Sequence, residues 1–457
     1  MNRKLIINVC LFTLTMLAFT LGYYKNYWRV IEQDRFNGFD VYCQSQVLGR
    51  VIRAEKEGIF SDAGLNGWVR DDSIMKNMTW EQMTAFQFEI YTKNLDLGKS
   101  NFIIYDTQIG GQAMLFALID KISPFSNSKN LNLFWIITSL SLAFLMSVFI
   151  FWVFKNYGFY PSMITFLLLI SSPLLTIFGR NLYLVFSTFY LPFIIMLILL
   201  HYEALQNRTL SMKRLFIISV VLVFIKLFFT GFEFISTALV MFTVPLFYYL
   251  FLCRWKLNFF FKRFASVVLG AISAIIFYAI LYSYQLSTIK GSFMWGFKNI
   301  LSSFLRRSYG NSANFDIAFK SSFESNVFDV LRIYLRSPAI AFNKSNLFNL
   351  ETLICILIIF SLLSILPKNI SPSIYKNRKR NIPLVFTTWI SILAPLSWFI
   401  IFKAHSYVHS NGFDDIVWCM PFLLFGFALL GSILSSIIKD IDIYYENQYK
   451  VTKDIIG

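Results

Sequence analysis

The chain has 457 residues, 56% of them hydrophobic and only 14% charged, with 52 Phe, 23 Tyr and 10 Trp. Soluble domains carry about 25% charged residues and disordered chains lack aromatic and aliphatic side chains, so both classes are excluded. The formal net charge of +16 is scattered among apolar runs and builds no soluble basic domain, which argues against nucleic acid and leaves a polytopic membrane protein.

Residues 1–24 are a short basic start and an apolar run long enough to span. No small-residue cleavage site follows, so the run reads as an uncleaved first transmembrane helix. Residues 25–130 form a long polar loop, whose part 25–107 has 12 acidic and 10 basic residues. Within it, Asp40 is followed by Val41, Val47, Leu48, Val51 and Ile52 at helical spacing, then by Gly58 as a stop. That pattern predicts an amphipathic helix lying along the membrane surface. The stretch Gln108–Ile122 is too short to span and predicts a second interfacial helix.

Residues 131–286 hold six further apolar runs, near 131–154, 159–178, 182–202, 214–231, 233–252 and 264–286. A second loop, 287–349, has 8 basic and 3 acidic residues. The segment 350–457 adds runs near 350–366, 383–403 and 416–438 and a mixed-charge tail. The fold class is therefore all-α and polytopic, with about ten transmembrane helices and two large loops. Placing both termini in the cytoplasm puts the basic clusters Arg208–Arg214, Arg254–Arg263 and Lys368–Arg380 inside, as the positive-inside rule requires, and both large loops outside.

Charged groups in or near a bilayer are functional candidates, and here they gather at the outer level. Arg180 and Asn181 lie in FGRNLY. Lys226 and Glu233 flank a turn, and Lys403, His405 and His409 lie in KAHSYVHSNGFDD. Lys226 is read either as a lysine snorkelling to the headgroups or as a cation facing a lipid phosphate. Glu233 is either its ion-pair partner or a site carboxylate. His405 and His409 are spaced i, i+4, which suits a metal, with Asp414 and Asp415 nearby. However, Ser-Asn-Gly at 410–412 predicts a turn that ends the helix and spoils the ligand geometry, so no metal and no cofactor are expected. Arg306 and Arg307 make the second loop fit an anion or anionic headgroups. Asp40 is read as a helix N-cap, as a general base at the outer cavity, or as both.

The order of these parts resembles the GT-C class of integral membrane glycosyltransferases. The resemblance is carried by DVY at 40–42, VLGRVIRAEKEG at 47–58 and YDTQIGGQAMLFALI at 105–119. FGRNLY and SYVHS are similar to stretches of bacterial surface-polysaccharide transferases, phage-type O-antigen glucosyltransferases among them. The resemblance implies a GT-C-like fold in the bacterial inner membrane. It implies transfer of a glucose-like sugar from a polyprenyl phosphate to a lipid-linked O-antigen (lipopolysaccharide) or other surface glycan, with Asp40 as base and Asp34 or Glu233 as alternatives. Arg180, Lys226, Glu233, Arg306, Arg307, Lys403, His405 and His409 are the pool for binding substrate and phosphate. The expected partners are the polyprenyl-linked sugar, the lipid-linked acceptor and membrane lipids. A polysaccharide polymerase and a non-enzymatic flippase of lipid-linked sugars remain as alternatives.

Overall fold

The computed structural model describes residues 3–98, 100–206, 208–310, 319–409 and 413–456. The chain is mostly helical, and among the described residues seven helices are long and apolar enough to cross a membrane. They are α1 (Arg3–Lys25), α7 (Asn127–Tyr157), α10 (Ser187–Gln206), α12 (Ile235–Leu252), α13 (Leu257–Lys290), the consecutive pair α18 (Pro372–Ser391) and α19 (Leu393–Ile401), and the apolar part of α21 (Phe422–Ile456). Two apolar helices are shorter, α8 (Phe159–Ile170) and α17 (Leu350–Leu363). Helix α11 (Met212–Thr230) carries Lys213, Arg214 and Lys226 and packs along α13. Where the sequence predicts one run over 159–178, the helix stops at Ile170 and resumes as α9 (Pro173–Phe178). Pro173 has no N–H to continue α8 but suits the first turn of α9.

The first polar segment is not purely helical. It holds α2 (Gln33–Gly38), α3 (Val41–Glu57), β1 (Asn66–Arg70), α4 (Asp72–Met75), α5 (Trp80–Lys93), β2 (Asn101–Tyr105) and α6 (Gly111–Ile122). Strands β1 and β2 pair antiparallel from Asn66↔Tyr105 to Arg70↔Asn101. Helix α3 has the predicted limits, and Gly58 at φ 91° closes it by donating to Ala54 O. It does not lie one-sided on a surface, because every residue from Gln44 to Ile52 is buried among β1, α5 and α6. This is tolerable because Arg50, fully buried, donates from Nε to Leu65 O at 2.7 Å and from Nη1 to Ser61 Oγ at 2.9 Å. Gly49 lets α3 meet β1: a Cβ there would stand 2.1 Å from Gly67 O and 2.9 Å from Trp68 Cα. Both neighbours are backbone, so Gly49→Ala should cost about 1–3 kcal/mol. Thermal unfolding of the purified variant should show a Tm several degrees lower, and an unchanged Tm would mean that α3 and β1 sit farther apart.

The second polar segment holds α14 (Met294–Arg307), α15 (Lys320–Glu324), α16 (Val327–Leu335) and the hairpin β3 (Pro338–Phe342) and β4 (Ser345–Asn349). The two segments meet at one end of the bundle. Asn299 of α14 donates to Asp106 O at 2.6 Å, and Gln285 of α13 donates to Ala63 O at 2.8 Å. The last short helix, α20 (Lys403–Val408), lies at this same end against α14, α15 and α16.

Candidate active site

At that end a cavity of about 320 Å³ opens between the polar segments and the bundle. Tyr42, Cys43, Tyr105, Tyr183, Glu233, Arg306, Arg307, His405, His409 and Phe413 are in its wall. Five residues of the predicted site pool, Glu233, Arg306, Arg307, His405 and His409, are therefore brought together from three separate elements.

Asp40 is not in the cavity wall, but its carboxyl interacts with the side chain of Cys43, which is. Asp40 precedes α3 in the left-handed region, at φ 54° and ψ 33°, and its side chain makes no capping bond. The N-cap role is thus not taken up. The carboxylate Oδ2 instead accepts from Asn181 Nδ2 at 2.7 Å. The orientation of that amide is dictated locally. Asn181 Oδ1 accepts the backbone N–H of Tyr183 at 2.9 Å and of Leu184 at 2.7 Å, so its NH₂ must face Asp40. The left-handed backbone is a strained conformation that Asp tolerates better than most residues. Burial pushes the Asp40 carboxyl up to about 7, while hydrogen bonds from Cys43 and Asn181 hold it down and the charge of Glu233 adds to the rise. A carboxylate poised near neutrality is suited to take up a proton. Asp34 is exposed on α2 and lies outside the cavity wall.

Glu233 occupies the tight turn between α11 and α12, where Gly231 and Phe234 both have positive φ. Lys226, 1% exposed, explains the turn: its Nζ donates to Gly231 O at 2.6 Å and to Glu233 O at 2.5 Å. It neither snorkels nor pairs with the Glu233 carboxylate. The carboxylate binds Arg307 Nη2 at 2.6 Å and faces His405 Nε2 at 4.0 Å. Arg306 and Arg307 end α14, where the helix dipole favours cations. Arg306 has no ion pair among the described residues.

Helix α20 persists through Val408, and His409 N bonds His405 O, so the i, i+4 pair survives with ring centroids 4.3 Å apart. The turn expected at 410–412 lies outside the described residues. Burial, with His409, Arg307 and Arg306 nearby, holds the His405 imidazole well below its usual range. Its Nε2 has no hydrogen-bond partner among the described residues. Asp414 and Asp415 are turned away into the scaffold: Asp414 accepts from Trp398 Nε1 at 2.7 Å and Ser406 Oγ at 3.0 Å, and Asp415 from Ser337 Oγ at 2.5 Å. No three His, Cys, Asp or Glu among the described residues converge as a metal site.

Three cations of the predicted pool are elsewhere. Arg180 Nη2 donates to Asn37 Oδ1 at 2.9 Å and its guanidinium lies over the Phe36 and Trp135 rings. Lys226 holds its turn. Lys403 donates to Phe323 O at 2.8 Å and Ser325 O at 2.7 Å. In the other direction, sequence reasoning assigned no site role to Cys43, Tyr105 or Tyr183, or to Asn181 as the partner of Asp40, since only the tertiary fold carries them to the cavity.

A second hollow, an apolar groove of about 450 Å³, runs between α12, α13, α14 and α19 and is lined by Ile235, Leu239, Ile275, Phe297 and Ile401 among others. Arg307 borders both the groove and the polar cavity. The chain matches no family model, no curated protein and no solved structure.

Proposed function

We propose that this protein is a GT-C-like membrane glycosyltransferase of the bacterial inner membrane. It moves a glucose-like sugar from a polyprenyl phosphate to a lipid-linked O-antigen or other surface glycan. The observation that carries the reading is the position of Arg307, shared by a cation-bearing cavity and an apolar groove. Such a pair of hollows suits an amphiphile with an anionic head and a hydrocarbon tail. In the reaction the acceptor hydroxyl oxygen bonds the anomeric carbon while the bond from that carbon to the phosphate oxygen breaks. Asp40 takes the hydroxyl proton, and the phosphate leaves against Arg306 and Arg307. A single displacement of this kind inverts the anomeric centre.

The seven long apolar helices, with α8, α11 and α17 added, are consistent with ten spans. Ten spans put both termini on one side, and the basic inner turns put that side in the cytoplasm. The cavity then faces outward, where a flipped lipid-linked sugar arrives.

The test is mass spectrometry of the surface glycan from cells expressing wild type or Arg307→Gln. Wild type should add one hexose-sized unit per repeat. Arg307→Gln should lower the initial rate by about 10²–10³, the usual effect of removing one charge-stabilising donor. Uptake of lipid-linked sugar into vesicles with no covalent product would replace this reading with a flippase. A collapse of glycan chain length on deletion, with repeat mass unchanged, would replace it with a polymerase.

A further inference from the structure

One wall of the cavity continues out of it as a row of aromatic rings. Trp80 is 40% and Tyr42 42% exposed, each in the first turn of its helix. Tyr42 also reaches the cavity wall, and behind the two rings stands Trp68 of β1, buried, with its indole N–H donated to Ser45 Oγ at 2.8 Å. Its ring centroid is 4.9 Å from that of Trp80, 5.3 Å from Tyr42 and 5.8 Å from Tyr105. Tyr105 in turn lies 6.3 Å from Tyr183, deep in the wall. Five rings thus form an unbroken path from solvent to the reacting groups.

The path is rigid as well as continuous. Thr79 and Gln82 form a reciprocal capping box that fixes the start of α5 and with it Trp80. Exposed Trp and Tyr gain nothing for the fold in proportion to their size, and a contiguous exposed aromatic patch marks a contact site. The neighbours decide what it contacts. Trp80 is flanked in the chain by exposed Thr79 and Glu81, and the strand that carries Trp68 ends in the exposed Arg70–Asp72 pair, which is unlike an apolar membrane-inserting face. The path also shares no residue with the apolar groove. A flat ring face with polar groups at its edge matches a pyranose, which offers a face of C–H groups bordered by hydroxyls.

We propose that Trp80 and Tyr42, backed by the buried Trp68 and continued into the cavity by Tyr105 and Tyr183, are a carbohydrate-binding shelf that seats two or more sugar units of the acceptor glycan and feeds its reactive end into the cavity. The assignment of this glycan as acceptor rests on the glycosyltransferase reading. The shelf itself is a binding statement and has its own readout.

The full-length protein in lipid nanodiscs, fluorescently labelled, is applied to an array of neutral and anionic oligosaccharides. Wild type should bind a subset of linear members of two or more units. Trp80→Ala and Tyr42→Ala should each weaken that binding at least tenfold. Trp80→Phe, which keeps a ring, should restore it to within about threefold, a rescue that a merely structural role would not give. Phe60→Ala, at a 77% exposed aromatic off the shelf, should bind as wild type does. No binding to any member overturns the shelf, and so does equal binding by wild type and Trp80→Ala. Quenching of Trp80 fluorescence by brominated nanodisc lipids overturns it in favour of a membrane contact. Shelf-dependent binding without any transfer keeps the shelf and removes the transferase. Transfer indifferent to Trp80→Ala keeps the transferase and removes the shelf.

Discussion

Asp40→Asn should lower the rate of sugar transfer by about 10²–10⁴, the range for loss of a positioned general base, while leaving the protein folded and no less stable. The amide keeps the shape of the carboxylate and its oxygen can still accept from Asn181 Nδ2. The stability arm follows from the sign of the shift. The folded-state carboxyl stands at about 7, above its ordinary value of 3.8. Between those values the folded chain holds a proton that the unfolded chain has released, so this group's contribution falls as pH rises from about 4 to about 7. Above 7 the wild type holds a half-buried carboxylate with no ion-pair partner among the described residues, which the Asn variant lacks. At pH 7.5 the variant should therefore melt higher than wild type, by about 2–4 °C for each kcal/mol of relief. The difference should vanish near pH 4. Wild-type transfer should rise with pH through about 7 as the base ionises. A variant that transfers normally, or a wild-type profile flat from pH 6 to 8, would remove Asp40 from the base role.

The second large effect concerns the opposite end of the bundle and tests the fold without reference to the chemistry. Arg263 at the start of α13 and Glu203 near the end of α10 form a two-pronged pair, Nη2 to Oε2 at 2.7 Å and Nη1 to Oε1, with Arg263 fully buried. The guanidinium also lies over Trp255, 4.5 Å from the ring centroid, and Glu203 Oε2 accepts the backbone N–H of Leu210 at 3.2 Å. Glu203→Ala strands a buried cation and should cost about 3–5 kcal/mol, a drop in Tm of about 6–20 °C. Replacing both partners by apolar residues of similar volume, Glu203→Leu with Arg263→Met, should recover most of the loss, because no unpaired charge remains. A single variant as stable as wild type would mean that water reaches the pair. A double variant as damaged as the single would mean that the pair sets helix position beyond its charge.

The helical frame was legible in the sequence because length and apolarity are local properties. The expected runs over 131–154 and 264–286 sit inside α7 and α13. The details that failed are those decided by tertiary partners. The strand NGWVR is five residues with no clean alternation, and it becomes β1 only because NFIIY pairs with it and Gly49 lets α3 approach. The amphipathic pattern of α3 was read correctly as helical and incorrectly as one-sided, since the acceptors for Arg50 lie 11 and 15 residues away. Among the candidate residues, Glu233, His405 and His409 were legible as polar groups beside apolar runs, and Arg306 and Arg307 as part of a basic loop. Their division of labour from Lys226, Arg180 and Lys403 was not, because it depends on which backbone carbonyls lie within reach of each ammonium or guanidinium.

The cavity wall begins at Tyr42 and ends at Phe413, so almost the whole chain must be synthesised before its last piece exists. At roughly 5–20 residues per second, the interval between Tyr42 and His409 is about 20–70 s. Throughout that time the cavity lacks His405, His409 and Phe413, because helix α20 and the residues after it have yet to leave the ribosome. A closed cavity is in this sense a certificate of nearly complete synthesis. A chain released before Lys403 would lack that side of the cavity however well its earlier helices were placed.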